Sequence, residues 1–215
     1  MQRIPTPAAI REAFARWSRR EIPALPGRRN DQRAGVLVPL VWTPEPVALL
    51  TLRPLHLSRH GGEVCFPGGR PEAGDEDLWA TAVREAHEEL GLVVAERLGE
   101  LSAMPLYTSE FRLVPFVAAV ADTPLRPDPS EVAAVLRLSI REVLEQPEIE
   151  GISFAVGDVS GIAPLFRTDG HVVYGATAYT FLELLEVLAP LYERTLPPVR
   201  PGAVVWQDLL RAPAE

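Results

Sequence analysis

Apolar and polar positions along the chain fall into short blocks separated by turn formers, and the period inside each block sets the element expected there. Residues 7–20, with Ala8, Ala9, Ile10, Phe14 and Trp17 at helical spacing, predict a peripheral helix that runs into a basic, Pro- and Gly-rich linker over 19–33. Strands are expected at 35–42, 47–53 and 63–66, with turn residues between them. A helix follows over about 76–90, bounded by Gly74 and Asp75 upstream and by Gly91 downstream. Further strands are expected at 97–104, 112–121 and 132–138, broken by Pro105 and by a 124–129 loop. A short helix around 140–145, a strand near 171–174 and a helix over about 176–188 complete the reading. No internal repeat is visible. Mixed strands interspersed with helices indicate an α+β layer fold, an α/β/α sandwich with a mixed sheet between helices.

Composition narrows the chemistry. Among the 215 residues the 21 basic ones are all arginine, so Schiff-base enzymes, pyridoxal-phosphate enzymes and Walker-type phosphate loops are excluded for want of a lysine amine. Against 29 acids they leave a net charge of −8, which argues against binding nucleic acid through the overall field. Any polyanionic substrate must then be held by local cations or by metal. The single cysteine, Cys65, cannot close an intrachain disulfide, and it reads as a small core residue. With no apolar run near 18 residues and no signal-like N-terminus, the expectation is a cytoplasmic chain without membrane contact.

The helix over 76–90 carries the informative pattern. At about 100° per residue, Trp79, Val83, Ala86 and Leu90 form one stripe, expected to face the core. Glu85, Glu88 and Glu89 share the opposite face, expected to stay clear of it. A solvated acidic face is the bland explanation, but two costs weigh against it. Glu85 and Glu89 stand at i, i+4, where like charges repel. Glu88 and Glu89 also lie in the last turn, where the helix dipole disfavours anions. A divalent cation would relieve both, and carboxylates with few other ligands suit a hard ion such as Mg²⁺ or Mn²⁺ that shares substrate phosphates. Just upstream, Phe66-Pro67-Gly68-Gly69-Arg70 offers a turn without Cβ atoms, through which backbone can approach a metal or phosphate closely.

The stretch from Gly69 to Leu92 resembles the Nudix box, G-x5-E-x7-R-E-U-x-E-E-x-G-U with U aliphatic. Arg84, Glu85, Ala86, His87, Glu88, Glu89, Leu90, Gly91 and Leu92 match its second half. The first half carries one extra residue, so either Asp75 or Glu76 takes the place of the box's first acid. The stretch 49–69 (LLTLRPLHLSRHGGEVCFPGG) resembles the L-L-T-x-R-S-x-x-L-x-x-H-x-G-x-x-x-F-P-G-G signature of coenzyme A pyrophosphatase-like Nudix proteins, with Pro54 for the usual serine and Ser58 where arginine is common. Tyr174-Gly175-Ala176-Thr177-Ala178 is similar to a W-G-A-T-A segment of the same branch.

The resemblance implies a Nudix hydrolase domain over 33–192, with residues 1–32 as N-terminal helix and linker and 193–215 as a C-terminal extension packed on it. It implies metal-dependent hydrolysis of a nucleoside diphosphate linked to another moiety. Coenzyme A or an acyl-coenzyme A is the leading substrate. ADP-ribose is the alternative, or a non-catalytic nucleotide-sensing module. The implied ligands of Mg²⁺ or Mn²⁺ are Glu85, Glu88, Glu89 and a carbonyl at Gly69, with Arg84 orienting a glutamate by a fork of hydrogen bonds. The general base is open among Glu85, Glu89, Glu131 and, less favourably, Glu110. Arg53, His56, Arg59, His60 and Arg70 are expected to capture substrate phosphates. His87 reads as a boundary residue, and Trp17, Trp42 and Trp206 as packing. The partner is a small nucleotide, and a homodimer is left open.

Overall fold

Strand β1 shows how the sequence builds the core. Following helix α1 (Pro7–Arg16), β1 (Gln32–Trp42) is apolar almost throughout, and residues 34–41 are buried without interruption. Successive side chains of a strand point to opposite faces. Val36, Val38 and Leu40 therefore enter one core, and Leu37 and Val41 enter another on the far side. Such a strand is stable only when both faces of its sheet are covered, and helices cover both.

The structure, a computed structural model, describes residues 4–57, 59–156 and 159–209. After β1 come β2 (Pro46–Leu52), β3 (Val64–Cys65), β4 (Gly68–Gly69), α2 (Leu78–Leu90), β5 (Val94–Glu100), β6 (Met104–Pro105), β7 (Phe111–Val120), β8 (Ala134–Ser139) and α3 (Ile140–Leu144). Then follow β9 (Ile149–Val156), β10 (Val159–Pro164), β11 (Phe166–Thr168), β12 (His171–Val173), α4 (Gly175–Leu188), a 3₁₀ turn (Ala189–Tyr192), β13 (Val199–Pro201) and α5 (Trp206–Leu209). The main sheet has the order β3-β2-β1-β7-β5, with β4 on β1, β6 on β7 and β8 on β2. The β1–β7 pair is parallel and the other pairs antiparallel, so the sheet is mixed. Helix α2 packs on one face through Ala82, Ala86 and Leu90. Helices α1 and α4 share the other core, with Ile10 and Phe14 from α1 and Phe181, Leu184, Leu185 and Leu188 from α4. This is the α+β sandwich that the pattern predicts.

Several elements depart from expectation, each for a local reason. Helix α1 ends at Arg16 because Trp17 turns extended and donates its indole N–H to the buried Glu183 on α4 at 2.9 Å. The expected strand over 97–104 is two pieces. Strand β5 starts earlier, at Val94, is bulged twice and ends at Glu100, and Pro105 belongs to β6 instead of breaking a strand. At Gly99 the ring of Phe14 fills the space a side chain would need. The stretch 149–164, for which the pattern predicts no element, forms the β9–β10 hairpin, joined by β13 into a second sheet. The basic stretch after α1 is pinned along the domain. Arg112 donates to the Ile22 carbonyl, and buried Asn30 bridges Leu25 to the carbonyls of Leu106, Ser109 and Phe111, while before α1 the Pro5 carbonyl accepts from the Trp42 indole. Among the described residues no helix is long and apolar enough to cross a membrane.

Candidate active site

Two glycines bring α2 against the sheet. A Cβ on Gly35 of β1 would overlap the Leu78 carbonyl at the start of α2, and a Cβ on Gly69 of β4 would overlap the Glu85 carboxylate. Gly35 and Gly69 are register partners, so one side-chain-free strip of β1 and β4 receives the helix. The helix is closed at both ends. Asp77 accepts from the Ala80 N–H at 2.8 Å, and Gly91 caps the other end in the left-handed region at φ 66°.

The acidic face splits. Glu89 is only 3% exposed, which corrects the expectation that this face stays clear of the core. One of its oxygens accepts the Gly68 N–H at 3.1 Å, and the other, Oε2, is buried with no hydrogen-bond partner. Burial pushes its pKa up to about 7, and the charges of Glu131 and Glu85 add to the rise. Glu85 is half-buried beside Gly69, and burial raises its pKa too, against the pull of Arg84. Glu88 points outward and pairs with Arg84 Nη1 at 2.8 Å. Among the described residues, no three His, Cys, Asp or Glu side chains converge as a ready cage for a metal ion. The inward acids are two, Glu85 and Glu89.

Arg84 holds this arrangement, and its fork does not close on a glutamate. Nε and Nη2 each donate to Asp75 at 3.1 Å, Nη2 also reaches the Arg70 carbonyl, and Nη1 lies 3.2 Å from Glu85. Asp75 in turn accepts from the Glu72 N–H and the Thr81 hydroxyl, both at 2.9 Å. The Arg84 guanidinium first, and then these two donors, hold its carboxyl well below the usual carboxylate range. Asp75 therefore takes the place of the first box acid, while Glu76 is exposed. Spacing alone left the two acids equal. The discriminating signal is Thr81, six residues after Asp75, whose hydroxyl faces back from the first turns of α2.

The loop before β8 docks on the C-terminus of α2, where Arg126 and Asp128 donate their N–H groups to the carbonyls of Leu90 and Glu89 at 2.8 and 2.9 Å. Glu131 follows, exposed, and its charge is felt by both Glu85 and Glu89. Glu110 is committed elsewhere: it accepts the N–H groups of Arg29 and Asn30 and pairs with Arg28, which lowers its pKa and removes it as a free base.

Of the residues expected to capture phosphate, Arg53 is the one whose charge reaches Glu89. Its charge opposes the upward shift of Glu89, and its Nε is buried without a partner. His56, Arg59 and His60 are exposed on the 54–62 loop, which is closed at its base by a pair of backbone hydrogen bonds between Arg53 and residues 62 and 63. Ser58 lies outside the described residues. Arg70 is exposed and lies over the Phe111 ring at 4.5 Å, so the structure parks it on an aromatic face. Cys65 hydrogen-bonds with the Thr51 hydroxyl, and burial pushes its thiol up to about 11, the behaviour of a packing residue. His87 is exposed, with Nδ1 3.3 Å from the Leu92 carbonyl.

These residues fit a hard cation. A buried carboxylate oxygen without a partner, a second carboxylate against a glycine backbone, and a third acid whose field reaches both set carboxylate oxygens together beside one strip of backbone.

Comparison with known proteins agrees with this geometry. The NUDIX domain family model matches residues 31–154. Proteins of Yersinia pestis (strain Pestoides F) and Yersinia pseudotuberculosis serotype O:1b (strain IP 31758), each named "Uncharacterized Nudix hydrolase NudL", are 34% identical over 153 residues, covering 69% of this chain and 76% of theirs. A solved MutT/nudix family protein from Enterococcus faecalis is similar in fold, with a TM-score of 0.50 at 16% identity over 89% of this chain and 76% of that one.

Proposed function

The chain belongs to the Nudix family, as a hydrolase acting on nucleoside diphosphate derivatives, and we propose that its substrate is coenzyme A or an acyl-coenzyme A, cleaved to 4′-phosphopantetheine (or its acyl form) and adenosine 3′,5′-bisphosphate. Nudix hydrolases generally use divalent cations. Here Mg²⁺ or Mn²⁺ would be held by Glu85, Glu89 and the Gly69 carbonyl, with Glu88 adding charge. When bound, the ion supplies charge neutralisation on the pyrophosphate oxygens. The observation that carries this reading is the buried, unpartnered Oε2 of Glu89 beside Gly68.

The chain's own groups do the rest. Arg84, locked bidentately on Asp75, fixes the rotamers of Glu85 and Glu88 through its remaining nitrogen. Glu131 is exposed, and among the described residues its carboxylate has no hydrogen-bond or ion-pair partner, so it is the acid assigned to take a proton from an attacking water. Arg53, whose charge already acts on Glu89, would offer its guanidinium to a phosphate oxygen at the mouth of the loop. The outer phosphate of the substrate falls to His56, Arg59 and His60, on the loop that Arg53 opens. Arg70, held over Phe111, swings in only by leaving that ring.

Coenzyme A carries a 3′-phosphate that dephospho-coenzyme A and ADP-ribose both lack, so the exposed cations of the loop should distinguish it from either. Measuring kcat/KM for coenzyme A, dephospho-coenzyme A and ADP-ribose with Mg²⁺ and Mn²⁺ tests the proposal. The dephospho form should be poorer by about 1.5–3 kcal/mol, the worth of a charge-assisted hydrogen bond. A preference for ADP-ribose, or indifference to the 3′-phosphate, rejects coenzyme A and leaves the hydrolase.

A further inference from the structure

Around Ser58, which lies outside the described residues, the described part of the loop after Arg53 folds back closely on itself. Gly61 sits where a Cβ would meet the carbonyls of Leu55 and Leu57, both at 2.8 Å. His60, a residue with a side chain, adopts the left-handed region at φ 58°. A non-glycine residue keeps that conformation only where its surroundings over-determine it. The contact that does so is Glu63, whose carboxylate meets His60 Nδ1 at 3.0 Å while its N–H donates to the His60 carbonyl at 3.2 Å.

Glu63 has a second partner, remote in sequence. Strand β3 runs alongside β12, and this places Tyr174, the residue before α4, with its hydroxyl facing the Glu63 carboxylate. Burial and the Glu63 charge together push the Tyr174 hydroxyl up to about 12, so it stays a hydrogen-bond donor at any working pH. The other side of the Tyr174 ring is braced by Trp206 of α5, edge to face at 6.3 Å. Tyr174 heads the Tyr-Gly-Ala-Thr-Ala segment and Trp206 lies in the C-terminal extension, so the chain Trp206–Tyr174–Glu63–His60 ties three distant parts of the sequence to one loop residue.

We infer that Glu63 is a positioning residue for substrate recognition: braced by Tyr174, it holds His60 in its left-handed conformation and aims the imidazole at the substrate's outer phosphate. This deepens the reading above and rests on it, since it takes the 54–62 loop to be the phosphate-capturing segment. A carboxylate beside an imidazole also favours the imidazolium, the form that attracts a phosphate dianion, against the opposing charges of Arg53 and Arg59. Among the described residues Glu63 makes no hydrogen bond or ion pair with the metal-site acids, so its loss should leave the chemical step alone.

The test combines calorimetric binding of adenosine 3′,5′-bisphosphate in a chelator with steady-state kinetics on coenzyme A, for the parent protein, Glu63→Ala, Glu63→Gln and Tyr174→Phe. Glu63→Ala should weaken binding and raise KM about tenfold, with kcat and the Mn²⁺-induced rise in melting temperature unchanged. Glu63→Gln, which still accepts from Tyr174 and from a ring N–H, should stay within about threefold of the parent. Tyr174→Phe should fall between the two. If the parent binds the bisphosphate and Glu63→Ala binds it equally well, or if kcat and the Mn²⁺ response fall together with binding, Glu63 is not a positioning residue and the inference is overturned while the hydrolase reading stands. If the parent fails to bind the bisphosphate at all, the phosphate-capturing role of the loop is wrong, and the inference goes with it. Binding without turnover of coenzyme A would reject the substrate reading, yet the binding ratios alone still decide the role of Glu63.

Discussion

Removing the charge of Glu89 should stabilise the metal-free protein while abolishing its response to metal. The carboxyl is 3% exposed and its pKa stands at about 7 in the folded chain, against an ordinary 4.5. At about 1.4 kcal/mol per tenfold change in proton affinity, ionising it in the folded state is harder than in the unfolded chain by roughly 3 kcal/mol. The folded state keeps this proton where the unfolded chain has lost it. Its contribution to stability is therefore fully present below about pH 4.5 and is lost as the pH rises to about 7. Glu89→Gln preserves the acceptor for the Gly68 N–H and cannot ionise. In a chelator at pH 8 it should exceed the parent by about 3 kcal/mol, or roughly 6–12 °C in melting temperature for a chain of this size. Near pH 4.5 the two should converge, and groups such as Asp75 that respond to acid cancel in the comparison. Mg²⁺ or Mn²⁺ should then raise the melting temperature of the parent and leave the variant where it was. Thermal melts of both proteins over pH 4.5–8, with and without metal, settle the matter. Parallel curves, or a variant less stable than the parent at pH 8 in chelator, would refute the burial argument.

The other predictions follow from the same contacts. Glu85→Gln should lower kcat about 10²-fold or more at saturating metal while the fold survives, and near-normal turnover would remove Glu85 from the metal set. Gly69→Ala places a Cβ on the Glu85 carboxylate, so apparent metal affinity should drop at least tenfold, which a Mn²⁺ titration of activity measures. Asp75→Asn weakens the clamp on Arg84 and should lower kcat about 10- to 100-fold, whereas Glu76→Gln should change it less than twofold; equal effects from the two would mean that Glu76 shares the role.

Sequence pattern and structure agree best where the signal is periodic and local. The core positions Ala86 and Leu90 of α2, its Gly91 cap and the Arg84–Glu85–Glu88–Glu89 grouping follow from spacing along one helix, because a helix turns its own residues to fixed directions; the start shifts from the expected Gly74–Asp75 to Asp77, whose carboxylate caps Ala80, and Ala82 is buried where Trp79 and Val83 are only partly covered. What spacing along one helix cannot report is which of its acids another element will cover. Glu85 and Glu89 differ from Glu88 because β4 lies over them, and β4 is there because Gly35 and Gly69 admit it. The hairpin of β9 and β10 is obscure for a related reason. Gly151 and Gly161 interrupt its apolar alternation, and the gap at Gly161 is filled by the Phe154 ring across the strand pair, a contact visible only once the two strands are in register. The pinned arm before β1 reads as a linker in sequence because its polar residues find their partners some 80 positions away, as Arg28 and Asn30 do at residues 106–111.

Each feature of α2 that looks unfavourable in isolation has the same relief. Like charges at i, i+4, anions at the negative end of the helix dipole, and a buried carboxylate oxygen with no donor all raise the energy of the metal-free fold, and all three bear on Glu89. No side chain among the described residues answers the orphaned oxygen: Arg84 is spent on Asp75, Glu88 and Glu85, and Arg53 acts on Glu89 only through its field. A neutral residue at position 89 would remove every one of these costs, so stability alone gives no reason for a glutamate there. The sequence departs from local consistency at one place in an otherwise well-capped helix, and such departures are expected at functional sites. A divalent cation offsets all three costs at once while the carboxylate stays ionised, whereas a proton does so only by giving up the charge, which is why the effect of charge removal at position 89, read with and without metal above pH 7, discriminates between an active site and an ordinary acidic helix.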